Sequence, residues 1–188
     1  ALPIWIHSAI ADNFQITFQY FQWSVDKKME LRHNGIWYKV SPWSLSWDDE
    51  NYYLIAYDSV EHIIKHFRVD KMLHIKSIKS FREGKKAFNN FDMAAYARKM
   101  FGMYGGNEEC VHIKCNNSFA GVIIDRFGKD VSMVRLDKEH FVANVEVSVS
   151  RQFLAWVIGL GEGVTILGPQ SVVDMMKEEI KRLTNQYE

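Results

Sequence analysis

Residues 51–72 read NYYLIAYDSVEHIIKHFRVDKM, with aromatics and cations interleaved along two short apolar runs. From Tyr52 to Tyr57 and from Ile63 to Val69 the stretch reads as two short strand-like runs, and DSVE between them predicts a turn. Rings and cations on strands serve one of two ends: they hold a nucleotide, or they form a barrel wall with a solvated rim. The flanking sequence decides the fold first.

Upstream, FQITFQY (14–20) sends Phe14, Ile16, Phe18 and Tyr20 one way and Gln15, Thr17 and Gln19 the other, the pattern of a half-buried strand. VDKKMELRHNG (25–35) reads as a polar excursion ending in the turn pair Asn34-Gly35. Ile36, Tyr38 and Val40 begin another strand, expected to stop at Pro42. Downstream, Met72 to Ile78 forms one more. Five short, tightly connected strands predict a small barrel, because closure removes both sheet edges. A helix precedes them: Pro3 suits its first turn, and Leu2, Ile6, Ala9 and Ile10 share a face. The chain opens abruptly on that helix, without Met, so a further domain is expected upstream.

A different regime begins near Glu83. NNFDMAAYARKMFGMYGG (89–106) has Asn89 or Asn90 as a cap, apolar residues Phe91, Ala94, Ala95, Met100 and Phe101, and terminating glycines. It predicts a linker helix. Beyond it the expected order is strand (110–115), helix (118–127), strand (131–136), strand (140–147), helix (151–160), strand (164–167) and a last helix (171–183). The order βαββαβ is the ferredoxin-like arrangement.

Composition bounds the function. The chain has 188 residues, 23 Lys plus Arg and 23 Asp plus Glu, so the whole molecule is not a general polyanion binder. Cations are nonetheless concentrated between Glu61 and Lys86, eight against three acids, and such a region can hold an anion. Cys110 and Cys115 lie five apart on one strand, about 16 Å by strand rise, too far for a disulfide. Free thiols point to the cytoplasm. No apolar run approaches the ~20 residues needed to span a bilayer.

Several motifs now stand in order: IADN before ITFQY; YKVSPWSL (38–45), a valine-x-proline-x-x-leucine pattern; NYYLIAYD (51–58); and KHFRVDKM (65–72). Together they resemble a WYL domain, with Tyr52-Tyr53-Leu54 in the place of Trp-Tyr-Leu. Lys65 and Lys71 replace arginines of a motif written R-x-F-R-L-D-R-I, and lysine lacks the bidentate fork. VIIDRFGKDV (122–131) and FLAWVIGLGEGVTILGP (153–169) resemble the extension that follows WYL domains in bacterial transcription regulators. The resemblance implies an α+β protein in three parts. Residues 1–82 would form an Sm-like five-stranded β-barrel with an N-terminal helix, residues 83–107 a linker with a helix, and residues 108–188 the ferredoxin-like extension. It also implies an effector sensor that binds a nucleotide-like or nucleic-acid ligand; no enzyme activity and no cofactor are expected. DNA would be read by a winged helix-turn-helix domain outside this sequence. Palindromic operators would favour a homodimer.

The resemblance gathers the site around Arg68, with His66 and Lys71 about an anionic ligand, Asp70 holding Arg68, and Lys65 a weaker participant. On a strand, His66, Arg68 and Asp70 share one face, and Lys65, Phe67 and Val69 the other. The plainer alternative is an exposed Arg68–Asp70 pair of little energetic weight. Tyr20, Tyr52 and Tyr53 offer rings for stacking or for core packing; the adjacent tyrosines face opposite ways, so at most one lines Arg68's pocket. Trp37, Trp43 and Trp47 ring a groove or cap a core. Ser41 could donate to a ligand or bond the turn backbone. His62 and His66, about 13 Å apart on a strand, cannot share a metal. GLGEG (159–163) follows a helix and precedes a strand, the reverse of a dinucleotide loop. No nucleophile elbow or Walker loop is present. The main alternative is a constitutive single-strand nucleic-acid-binding module with 61–86 as its track, and an enzyme of unknown reaction comes third.

Overall fold

The computed structural model describes every residue except Ala1, Asp49, Asn90, Phe91 and Tyr104, and the backbone alone of Leu2 and Pro3. The chain divides into two units, residues 1–91 and 92–188.

In the first unit, α1 (Leu2–Ala11) buries Ile6 and Ala9, as its spacing predicts. The strands are β1 (Phe14–Trp23), β2 (Met29–Leu31), β3 (Tyr38–Asp48), β4 (Asn51–Asp58), β5 (Ile63–Arg68) and β6 (Met72–Phe81). All pairs are antiparallel, in the order β6-β1-β3-β4-β5, with β2 on the outer half of β1. Ile16, Phe18, Val40, Leu54, Ala56 and Phe67 face a common core. Phe18, fully buried, stacks on Tyr38 at 5.3 Å and meets Phe67 edge-on at 5.0 Å. Burying one such ring contributes about 2–3 kcal/mol.

Three expectations need correction. The polar excursion contains a sixth strand: Met29–Leu31 pairs with Phe21–Trp23, although all three of its residues are exposed and no alternation marks it. Pro42 does not end β3. It lies at a register shift between Pro42 and Ser44, where a bulge tolerates the missing N–H. There β3 changes partner, from β1 at Tyr38–Val40 to β4 from Ser41 onward. Finally, the sheet curls without complete closure. Among the described residues β5 and β6 do not pair; a 3-10 turn, Val69–Lys71, diverts the chain between them.

After β6 the chain crosses the outer surface of the sheet. Glu83 N–H donates to Ser41 Oγ (2.8 Å), Trp43 Nε1 to Glu83 O (2.9 Å), and Gln15 Nε2 to the Glu83 carboxylate (3.1 Å). Arg82 lies 4.2 Å over the Trp43 ring, which stacks on Phe88 at 4.9 Å. Gly84, at φ +83°, sits so close to Tyr57 that an added Cβ would lie 2.3 Å from the ring.

In the second unit, α2 (Met93–Lys99) is capped by Asp92, whose carboxylate accepts from Ala94 N and Ala95 N. The expected cap Asn89 does not serve, and Asn90 lies outside the described residues. The helix stops at Lys99, before Met100 and Phe101, which are buried. There follow β7 (Asn107–Asn116), α3 (Ala120–Phe127), β8 (Ser132–Arg135), β9 (His140–Val149), α4 (Arg151–Gly159), β10 (Val164–Gly168) and α5 (Gln170–Tyr187). The antiparallel sheet runs β10-β7-β9-β8. Val111, Ile113 and Cys115 of β7 meet alternate residues of β9, with Ile123, Phe153, Leu154, Val157 and Val172 from the helices. Cys110 is exposed and Cys115 buried, both free. Among the described residues, no helix is long and apolar enough to cross a membrane.

Candidate anion-binding site

Leu54 and Phe67 pair across β4 and β5 and both enter the core. The next pair, Tyr53 and Arg68, therefore faces outward. Arg68 is the last residue of β5, and the 3-10 turn after it buries Val69 and swings Asp70 back beneath the guanidinium. Arg68 Nε donates to Asp70 Oδ1 at 3.0 Å, and Nη2 to Asp70 Oδ2 at 2.9 Å. A third bond runs from Nη2 to Asn51 Oδ1 at 2.7 Å. With 37% of the arginine side chain and 49% of the aspartate exposed, this fork adds under about 1 kcal/mol of stability. Its consequence is orientation. Three of the five guanidinium N–H groups are committed, and the two on Nη1 have no protein partner among the described residues. The Arg68 hydrogen bonds hold the Asp70 carboxyl below its usual range, against an opposing push from burial, and Asp70 raises Arg68 in turn.

Tyr20 closes the other side. Its hydroxyl accepts the Arg68 backbone N–H at 3.0 Å, on the edge of β5 that no strand covers. The ring packs on Phe67 (5.8 Å) and Tyr38 (6.1 Å), and this burial, above all, pushes the phenol pKa up. Tyr20 thus stays protonated at neutral pH, and its own O–H has no acceptor among the described residues. Lys71 Nζ rests 5.0 Å above Phe21 and 5.3 Å above Trp23, and 3.6 Å from Asp70 Oδ2. Such clamps are worth about 0.5–1 kcal/mol and fix where the charge sits.

Arg68, Asp70, Lys71, Tyr20 and Tyr53 are therefore brought together. His66 lies on the same face as Arg68, opposite Ile55. The others lie elsewhere. Lys65 bonds Asp58 (2.7 Å) and Glu61 (2.6 Å) beside the β4–β5 turn. Ser41 is buried, its hydroxyl accepting from Glu83 N. Tyr52 pairs with Trp47, rings edge-on at 4.7 Å. Two participants escape the sequence reading: Asn51, the third anchor of the fork, and Arg32, whose guanidinium lies 5.8 Å over the Tyr20 ring. Only the β1–β2 and β4–β5 registers bring them here, and short-range pattern does not carry those. Among the described residues, no group of three His, Cys, Asp or Glu could hold a metal ion.

Comparison with known families agrees with this layout. Residues 5–77 match the WYL domain family, and residues 109–184 match the WCX domain family. Residues 5–77 thus carry a WYL domain. The WYL match contains the whole Arg68 cluster, and the WCX match spans β7 through most of α5. Among solved structures the chain is similar to proteasome accessory factor B/C (PafBC) of Arthrobacter aurescens, at 21% identity and a TM-score of 0.41. That similarity covers 97% of this chain and 26% of the other, so the chain spans about a quarter of PafBC's length. No curated protein sequence matches it.

Proposed function

We propose that this chain is the effector-sensing region of a cytoplasmic bacterial transcription regulator, capturing a nucleotide-like or nucleic-acid ligand through its phosphate at Arg68. The first unit reads as an Sm-like barrel left open between β5 and β6. The second reads as a ferredoxin-like domain, since its strand order β10-β7-β9-β8 is the one a split βαβ pair produces. One observation carries the ligand reading: the Arg68 guanidinium is held rigid by Asp70 and Asn51 while both Nη1 hydrogens stay uncommitted at a partly exposed surface. Preorganised donors lower the ordering cost of binding. The role is binding without catalysis. An occupied site would favour one arrangement of the regulator over another and so reposition a DNA-binding domain, to the extent that the ligand prefers that arrangement. A homodimer would match a palindromic operator.

The track alternative is weakened by where the cations of 61–86 are spent. Of the eight, Lys65 is tied to Asp58 and Glu61, Lys71 to its aromatic clamp and Arg82 to Trp43. Native mass spectrometry of freshly purified protein should reveal a co-purified small ligand or short oligonucleotide, and Arg68→Ala should lose it. Affinity that grows with oligonucleotide length, falls steeply with salt and ignores Arg68→Ala would favour the track instead.

A further inference from the structure

Arg32 follows β2 directly and opens the 3-10 turn Arg32–Gly35, in which His33 and Asn34 adopt left-handed backbone (φ 49° and 57°). This turn carries the chain from the β1–β2 hairpin into β3 and sets the Arg32 side chain over the face of Tyr20. The arginine is exposed, and among the described residues it has neither hydrogen bond nor ion pair. An unpaired guanidinium held over an aromatic ring is desolvated on one side and open to a ligand on the other. The phenol beneath it is the one that accepts Arg68 N–H, and the charges of both arginines act on that hydroxyl.

Three donor groups are thereby left over around one tyrosine: the Arg68 Nη1 pair, the Tyr20 O–H and the Arg32 fork. The cations touching Tyr20 or Asp70 are Arg32, Arg68 and Lys71, against the single carboxylate of Asp70. A phosphodiester offers two free oxygens and one negative charge. A terminal phosphate monoester offers three oxygens and nearly two charges at neutral pH.

We propose that Arg32 is the second guanidinium of this site, and that the site selects a terminal phosphate monoester over an internal diester. This rests on the reading of Arg68 as an anion site and adds to it the residue and the ligand's charge class. Arg32 is a binding residue supplied by the β1–β2 hairpin, so that hairpin is part of the site's wall.

The test is calorimetric titration of the whole chain with three probes: a nucleoside 5′-monophosphate, its 3′,5′-cyclic monophosphate and the unphosphorylated nucleoside. Wild type should bind the 5′-monophosphate tightest. Arg32→Ala should weaken that probe about 10- to 100-fold, the usual effect of losing a charge-assisted contact, and leave the other two within about twofold. Arg32→Lys should recover part of the loss, having charge without a fork. Arg32 makes no hydrogen bond or ion pair among the described residues. Unchanged nucleoside affinity and a melting temperature within a few degrees of wild type, allowing for the lost contact over Tyr20, therefore serve as folding controls. If Arg68→Ala abolishes binding and Arg32→Ala does nothing, the Arg32 assignment falls and the anion site stands. Equal or tighter binding of the cyclic probe by wild type overturns the charge class. If Arg68→Ala leaves all affinities intact, or wild type binds none of the probes, the site reading falls and takes this inference with it.

Discussion

At the scale of single residues, Asp70 does two opposed things. It orients Arg68 and steadies Lys71, and it places a negative charge beside the guanidinium proposed to take an anion. Its stabilising part is testable by pH. The folded carboxyl lies below its unfolded value of about 3.9, so its contribution is complete above that value and is lost as pH falls through the folded pKa. Asp70→Asn should therefore melt a few degrees below wild type at pH 6, the gap narrowing as pH falls through the folded pKa of Asp70. Both partners are half-exposed, so the underlying energy is under about 1 kcal/mol. A difference that persists undiminished at pH 3 would assign the effect to packing. The Arg68–Asp70 pair was legible in the sequence because both residues lie in one short motif. Asn51 was not: its partner is 17 positions away, and only the β4–β5 register brings them together.

At the scale of elements, sequence pattern succeeded where one face is buried and failed where neither is. β1 alternates and β4 is a short continuous apolar run, and both were placed to within a few residues. β2 has no buried residue, so its pairing left no apolar signature, yet its hairpin supplies Arg32. Pro42 misled for a related reason: proline excludes a regular ladder, but a strand exchanging partners at a bulge has no regular ladder to break. The segment after β6 provides a sharper test. Gly84 combines left-handed backbone with contact against the Tyr57 ring, so Gly84→Ala faces both a conformational penalty and a clash. Together these should cost about 2 kcal/mol or more, read as a clear fall in the denaturation midpoint. An alanine variant as stable as wild type would mean that the segment is not pinned where it lies.

At the scale of the whole molecule, each unit has its own core, and the second offers a direct probe of its packing. Cys115 is buried and its thiol pushed up to about 11 by desolvation. Cys110 is exposed, and its thiol is raised by burial and then by Glu146. At pH 8 a thiol reagent should label one cysteine in the native protein, slowly for a surface thiol, and two after denaturation. Rapid native labelling of both would contradict the packing of β7. The order of elements in this unit was fully readable because its strands bury alternate residues and its helices are amphipathic. The open side of the first sheet was not, since closure depends on whether two distant edges meet.

That open side has a consequence for the proposed sensing role. Where an adjoining strand would present a peptide carbonyl to the amide of residue 68, the protein substitutes a phenol, whose hydroxyl can still donate a hydrogen bond of its own. Main chain and solvent are thereby joined through a single oxygen atom. The proposed guest, engaging that oxygen, would load the backbone directly at the junction of β5 and the turn, with no helix or loop needed to relay its arrival.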